Sequence, residues 1–269
     1  MLFEGLFMRI DFHTHCFPDK IAERAKDKLS KASGGLIPQT DCTSDGLRRE
    51  MKKDGVDISV VMNIATNPHQ QPSVNDFAAS LISDDLVPFG SVHPDSPDAL
   101  DELDRIKSLG LKGVKFHPEY QGFYVDEERM LPIYKKIGDL GLITLFHAGG
   151  DIGFAPPYHG TPDRFLRVLN RFDSPVVLAH WGGCFMCFDV LEKLAGQPVW
   201  FDTSFGYGTM PKAVAQQILD KHGASRLLLG SDMPWQRPAW SLSLLNSLEI
   251  SEEDRALIEY KNAQKLLGL

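Results

Sequence analysis

Short apolar runs alternate with longer amphipathic stretches along most of this chain. The runs are rich in Val, Ile, Leu and Phe, which is typical of parallel strands that are buried on both faces. We predict eight strands, at residues 8–13, 57–64, 86–92, 113–117, 143–148, 176–180, 199–204 and 226–231.

The stretches between these runs carry the start and stop signals of helices. Pro97 and Pro162 follow Ser96 and Thr161 as first-turn prolines, and Gly110 and Gly141 mark helix ends. Eight strand–helix repeats favour an α/β fold of the (β/α)₈ TIM-barrel type, with a doubly wound open sheet as the alternative. The turn after the first strand reads HTHCFPDK and lacks the glycine-rich GxGxxG of nucleotide-binding open sheets.

The chain length fits one such barrel, because 269 residues are ordinary for that fold. We therefore expect a single domain over 1–269, with 1–7 as a short leader segment and the structural start near Met8. The leader is apolar but lacks the basic region and cleavage site of a secretory signal. The one long loop-like insertion is expected at 31–46.

Composition and charge narrow the classes of partner. The formal net charge is −8 and no basic stripe is visible, so we expect no nucleic-acid partner. No apolar run reaches the roughly 20 residues of a membrane helix. Four cysteines are too few and too unevenly spaced for a secreted disulfide scaffold. We expect a cytoplasmic protein that acts on a small molecule.

Histidines gather where the predicted strands end. Six of the nine lie at or just after a strand end: His13, His15, His93, His117, His147 and His180. Asp232 follows the eighth strand. In an α/β barrel the active site lies at this C-terminal end of the strands, so these residues are candidates for catalysis.

The HTH segment at the end of the first strand is the sharpest of these signals. Strand alternation puts His13 and His15 on the same face as Asp11, where two imidazoles can converge on one divalent ion. Neutral imidazole suits Zn²⁺ and similar metals, and His147 with Asp232 would complete the ligands and leave one open position. We predict one divalent ion, with zinc first among the candidates.

This arrangement predicts a hydrolase that uses a metal-bound hydroxide. A bound divalent ion lowers the pKa of its water from about 15.7 towards about 7. Asp232 would then accept the proton of the attacking water, and His180 would orient that water or polarise the substrate. The predicted target is a C–O or C–N bond of a small organic substrate, such as an ester, lactone or amide.

Five segments together resemble a known family. They are IDFHTH (10–15), GVKFHP (113–118), LFHAGG (145–150), LAHWGG (178–183) and LGSDMPW (229–235). In this order they are similar to the amidohydrolase superfamily, in particular its aminocarboxymuconate semialdehyde decarboxylase-like branch. The resemblance implies a distorted (β/α)₈ barrel with an ion held by His13, His15, His147 and Asp232, and His180 beside the reactive water.

The resemblance also leaves alternatives open. The same branch contains non-oxidative decarboxylases of unsaturated or aromatic acids, so decarboxylation is the alternative reaction. Lys115 and His117 share a face, so a second ion through Lys115 is an option; we favour an ion-paired or substrate-facing lysine instead. A TatD-like nuclease is disfavoured, because GVKFHPEY stands where that family carries a GEIGLD-like segment. We expect a homodimer only because symmetric dimers are common.

Three further residues are candidate substrate contacts. His117 follows the fourth strand, and Trp235 lies in the loop after the eighth, where an aromatic wall suits a small organic ligand. Arg237 would clamp a substrate carboxylate in a bidentate pair, with a surface arginine as the alternative interpretation.

Overall fold

Eight parallel strands form the centre of the molecule. The computed structural model describes residues 8–269, so the predicted leader at 1–7 lies outside the described residues. Each predicted strand is present, although most are shorter than expected. Their bounds are β1 Ile10–Thr14, β2 Ile58–Met62, β3 Leu86–Phe89, β4 Gly113–Phe116, β5 Ile143–Phe146, β6 Val176–Leu178, β7 Trp200–Asp202 and β8 Leu227–Leu228.

The strands form two parallel sheets, in which β1 to β3 and β4 to β8 pair in sequence order. Hydrogen bonds between β3 and β4 and between β8 and β1 join these sheets into a closed barrel. Gly90 joins β3 to β4, since its N–H donates to Gly113 O at 2.9 Å and its carbonyl accepts from Lys115 N at 2.8 Å. Phe12 N donates to Leu229 O at 2.7 Å and so joins β8 to β1. The predicted (β/α)₈ barrel is confirmed, and the open-sheet alternative is excluded.

Helices surround the barrel and fill the connections between strands. Their bounds are α1 Asp19–Ala32, α2 Ser44–Asp54, α3 Gln71–Ser80, α4 Ala99–Ser108, α5 Pro118–Gln121, α6 Leu131–Asp139, α7 Pro162–Val168, α8 Cys187–Asp189, α9 Lys212–His222, α10 Pro238–Ser247, α11 Glu252–Ala256 and α12 Asn262–Leu267. Two π-helical turns, Val190–Leu194 and Leu257–Lys261, follow α8 and α11. The predicted insertion is shorter than expected, because α1 and α2 take up both of its ends.

Two layers of apolar side chains hold this arrangement. One cluster takes members from β1, β2, β3, β5, β6 and β8, among them Phe12, Met62, Phe89 and Leu145, all at most 1% exposed. A larger cluster packs the outer faces of the strands against the helices. Burial of this much apolar surface is the main force that stabilises the barrel. None of the helices within residues 8–269 is both long and apolar enough to cross a membrane.

Candidate metal centre

Five histidines meet at the C-terminal ends of the strands. They are His13, His15, His117, His147 and His180, and all but the partly buried His15 are at most 6% exposed. Burial, together with repulsion from neighbouring cationic groups, lowers the pKa of His147 to about 4 and of His117 to about 3. The pKa values of His13 and His180 are also lowered, mainly by burial. These four rings are therefore neutral near pH 7, which is the form that ligates metals.

His13, His15 and Asp232 form the first group of potential ligands. Asp232 Oδ1 lies 3.2 Å from His15 Nε2 and 3.5 Å from His13 Nε2. The two rings are tilted by 56° to each other, and the Nε2 atoms of both lie near this one carboxylate oxygen. The register of β1 against β2 shifts between Asp11 and Thr14, so the strict alternation assumed for this strand does not hold.

The other nitrogen of each of these two rings has a partner that fixes the ring. His15 Nδ1 donates to the carbonyl of Met62 at 3.0 Å, and His13 Nδ1 donates to Asp202 Oδ2 at 2.8 Å. Both Nε2 atoms are therefore left as lone-pair donors. Metal-binding histidines are held in this way by a carbonyl or carboxylate behind them, so the residues present fit a divalent ion.

His147 lies beside His180 rather than within the first group. Its Nδ1 is 3.0 Å from His180 Nε2, and its Nε2 donates to the carbonyl of Gly150 at 3.1 Å. His147, His117 and Asp151 make up a second group of potential ligands. However, the His117 and His147 rings are stacked, with centroids 4.1 Å apart and planes 14° apart. Since lone pairs lie in the ring planes, stacked rings do not aim them at one point, and this group suits an ion less well.

Lys115 lies inside the barrel next to the first group. Its Nζ is 3.1 Å from His13 Nε2, and its side chain is 1% exposed. Burial lowers the pKa of Lys115 to about 8, although Asp202 and Asp232 act in the opposite direction. Among residues 8–269 it makes no ion pair with a carboxylate, so the expectation of a salt-bridged lysine is not met and the substrate-facing position remains.

The structure separates the three predicted substrate contacts. His117 lies at the mouth of the barrel, which is the end where the C-termini of the strands meet, and its Nε2 is 3.2 Å from Asp151 Oδ2. Trp235 is partly buried, and its backbone N–H donates to the backbone carbonyl of Asp232 at 2.8 Å. Arg237 pairs instead with Asp54, and its Nε lies 3.2 Å from Glu50 Oε2, both on α2. The structure therefore does not bring Arg237 to the site, because its guanidinium is engaged by carboxylates of an outer helix.

Strained backbone marks the strand ends at the mouth. Positive φ angles occur at His180 (60°), Trp181 (59°), Phe205 (52°) and Asp232 (71°). For a residue other than glycine, a positive φ costs about 1–3 kcal/mol, so it persists only where surrounding contacts hold the backbone in place. Such contacts are present, since Asp232 N donates to His13 O at 2.8 Å and Trp181 N donates to Asp202 O at 2.7 Å.

Sequence reasoning missed three residues that contact these histidines directly. Asp202 is the last residue of β7 and Ser204 follows it; both are fully buried, and Ser204 Oγ lies 2.8 Å from His180 Nδ1 and 3.1 Å from His13 Nδ1. The signal was available, because the strand 199–204 ends in the polar DTS segment at the same edge as the histidines. Asp151, four residues after His147, was missed as well.

The sequence and the fold place this chain in a known family. A sequence profile of the amidohydrolase family matches residues 10–269, so the chain belongs to that family. This confirms the family predicted from the five segments. No curated protein sequence matches the chain.

Solved structures share the fold over nearly the whole chain. An uncharacterised TIM-barrel protein from Bordetella bronchiseptica has a TM-score of 0.79 at 20% identity, covering 97% of this chain and 98% of its own. A 5-carboxyvanillate decarboxylase from Sphingomonas paucimobilis has a TM-score of 0.75 at 17% identity, covering 98% and 99%. A dihydroxybenzoic acid decarboxylase from a Polaromonas species, with bound manganese and 2-nitroresorcinol, has a TM-score of 0.70 at 17% identity, covering 97% of each.

Proposed function

We propose that this protein is a metal-dependent, non-oxidative decarboxylase of an aromatic or unsaturated carboxylic acid. The sequence put hydrolysis first and decarboxylation second, and the comparisons reverse that order. The metal dependence rests on one observation: the Nε2 atoms of His13 and His15 both lie within 3.5 Å of Asp232 Oδ1. The choice of reaction rests on the likeness to two solved decarboxylases of hydroxylated benzoic acids.

His13, His15 and Asp232 would hold the divalent ion, with His147 as the further ligand expected from the sequence. When bound there, a divalent ion would polarise oxygen atoms of the substrate and stabilise negative charge on them. The donor set of imidazole and carboxylate accepts both Zn²⁺ and Mn²⁺. We keep zinc as a candidate beside manganese, which is the ion in the Polaromonas structure.

The reaction requires one proton to be delivered to carbon. As the carbon–carbon bond to the carboxylate breaks, CO₂ leaves and the ring carbon takes up a proton. Asp232 at Oδ1 is the group placed to hold and give that proton, and the ring of His180 is placed to take a proton at Nε2 from a neighbouring water. The depth of the site also favours loss of CO₂, because a buried mouth keeps water away from the carbanion-like carbon.

Hydrolysis of an ester, lactone or amide is the second candidate. The observation that favours it is the amidohydrolase family profile over 10–269, since that family takes its name from hydrolases. Hydrolysis would use the same residues, with Asp232 taking a proton from water instead of giving one to carbon.

A product analysis in D₂O separates the two reactions. Protein loaded with Zn²⁺ or with Mn²⁺ is incubated with hydroxybenzoates carrying a carboxylate beside the hydroxyl, and separately with aryl esters and lactones. We expect release of CO₂ and one deuterium at the carbon that carried the carboxylate, and neither product with His180→Asn. Ester or lactone cleavage without CO₂ release from any acid would overturn the proposal in favour of hydrolysis.

A further inference from the structure

A buried serine connects two histidines of the mouth to one carboxylate. Ser204 Oγ contacts Asp202 Oδ1 at short range, and it lies 2.8 Å from His180 Nδ1 and 3.1 Å from His13 Nδ1. Ser204 and Asp202 are both inaccessible to solvent. A hydroxyl has one proton to donate and two lone pairs that accept, so these three contacts are within its capacity.

The chemistry of the carboxylate decides the direction of these bonds. An ionised carboxylate only accepts, so Ser204 must give its single proton to Asp202, and charge-assisted bonds of this kind are the stronger ones. Asp202 Oδ1 also accepts from the backbone N–H groups of His180 and Ser204, each at 3.0 Å. With its proton committed, Ser204 accepts from the Nδ1–H of His180. The single Nδ1–H of His13 is directed at Asp202 Oδ2, 2.8 Å away, with Ser204 Oγ as the longer second acceptor at 3.1 Å.

This direction fixes which nitrogen of His180 carries the hydrogen. A neutral imidazole has one N–H, so a proton on Nδ1 leaves Nε2 with a lone pair. That lone pair points at His147 Nδ1, 3.0 Å away. His147 Nε2 donates to the carbonyl of Gly150, so His147 Nδ1 also carries a lone pair. Two facing lone pairs repel unless a cation lies beside them, which is what a metal-binding mouth supplies.

We propose that Ser204 and Asp202 are positioning residues that set the tautomer of His180, with hydrogen on Nδ1 and the Nε2 lone pair directed into the mouth. The pair also holds His13 with its hydrogen on Nδ1 and a lone pair on Nε2. One carboxylate therefore orients both a metal ligand and the proposed proton-transfer residue. The consequence for turnover rests on the proposed function, whereas the tautomer rests only on its metal-binding part and not on the reaction.

The tautomer is read by ¹⁵N NMR of protein with ¹⁵N-labelled histidine, in the Zn²⁺-loaded form. The His180 signals are assigned as those lost in His180→Asn. In wild type we expect the Nδ1 signal in the protonated, pyrrole-type range and the Nε2 signal in the unprotonated range. In Ser204→Ala we expect His180 to give mixed or exchanged signals, since its Nδ1–H has lost its acceptor. Ser204→Thr keeps the hydroxyl and should restore the wild-type pattern.

The neighbouring Thr203 provides a matched control. It is equally buried, at 1% exposure, but its hydroxyl interacts with the backbone of Gly230 and with no histidine. Thr203→Val should therefore leave the His180 signals unchanged. If Ser204→Ala also left them unchanged, or if His180 Nε2 carried the hydrogen in wild type, the proposal would be overturned.

Turnover gives the second readout. With a substrate found by the D₂O experiment, Ser204→Ala should lower kcat about 10- to 100-fold, as expected for a residue that orients a catalytic histidine, with KM little changed. A rise in KM with unchanged kcat would contradict the positioning role. If no acid is decarboxylated but the wild-type tautomer is as proposed, only the reaction is wrong and the positioning device stands.

Discussion

Buried histidines occur in two different surroundings in this barrel. At the mouth, each ring nitrogen of His13, His147 and His180 faces another functional group of the site. His222, at the end of α9, stacks flat on Phe201 with centroids 4.0 Å apart, and its Nδ1 accepts from Gly196 N at 3.1 Å. Burial lowers the pKa of His222 to about 4, as it does for His147.

The comparison shows that burial and a lowered pKa do not by themselves mark a functional histidine. Both surroundings keep the ring neutral. At the mouth, a carboxylate behind His13 and a carbonyl behind His15 hold the rings so that both Nε2 atoms converge on Asp232, whereas no carboxylate of residues 8–269 pairs with His222. The geometry of the partners is therefore the distinguishing feature.

The largest effect is expected when an imidazole ring is removed, because bound metal should depend on His13 and not on His222. His13→Ala should lose most bound metal and more than about 100-fold in turnover, since loss of a ligand exceeds the effect of an outer partner. His222→Gln, which removes a buried histidine elsewhere, should keep about the wild-type metal content. Mass spectrometry of metal per chain checks both variants, and equal metal content in the two would break the comparison.

A smaller effect is expected when the carboxylate behind His13 loses its charge. Three donors contact Asp202 Oδ1: the backbone N–H groups of His180 and Ser204, and the Ser204 hydroxyl. In Asp202→Asn we expect the amide oxygen to take the position of Oδ1 and accept from these donors, so the NH₂ group faces His13 Nδ1. His13 would then carry its hydrogen on Nε2 and lose its lone pair there. Zn²⁺ affinity should fall about 10- to 100-fold in a competition with a chelating dye. Unchanged affinity would show that Asp202 does not hold His13 for the ion.

His117 tests the second group at the mouth. Because its ring is stacked on His147, we expect it to contact substrate rather than metal. His117→Gln should retain the ion, while KM rises about tenfold through loss of one hydrogen bond of ~1.4 kcal/mol. Loss of the ion in this variant would make His117 a ligand, contrary to the account.

The smallest effect concerns His222 and the pH dependence of stability. Its pKa is about 4 when folded and its ordinary value is 6.5, so the unfolded chain binds the proton more readily between these values. This histidine therefore contributes full stability above pH 6.5, and the contribution is lost as the pH falls toward 4. In urea unfolding from pH 4.5 to 7.5, wild type minus His222→Gln should change by at most about 3 kcal/mol. A difference that does not vary with pH would contradict this assignment.

The fold was largely predictable because buried parallel strands have a strong apolar signature. Strand ends were less predictable, since β6 stops at Leu178 and His180 takes a positive φ that tertiary contacts impose. Barrel closure was also beyond local patterns, because it depends on bonds between distant residues such as Phe12 and Leu229. Likewise α4 begins at Ala99, two residues after the proline that predicted its start.

The site was predictable where a metal-binding side chain stands at a strand end, and less so where a contact depends on the tertiary structure alone. His13, His15 and Asp232 stand at strand ends, so their meeting followed from the barrel. Asp202 lies 189 residues from the His13 that it holds, and Arg237 lies 183 residues from Asp54. The pairing of Arg237 with Asp54 leaves no local pattern, so Arg237 was expected at the mouth. Asp202 was missed although it ends a strand at the same edge as the histidines.

The most direct test of the account is the position of the ion. Crystals of the protein loaded with Mn²⁺, measured near the manganese absorption edge, would give an anomalous difference map that locates it. We predict one strong peak between His13, His15 and Asp232, within bonding distance of both Nε2 atoms. A peak only between His117 and Asp151, or no peak at the mouth of a loaded crystal, would contradict the central claim.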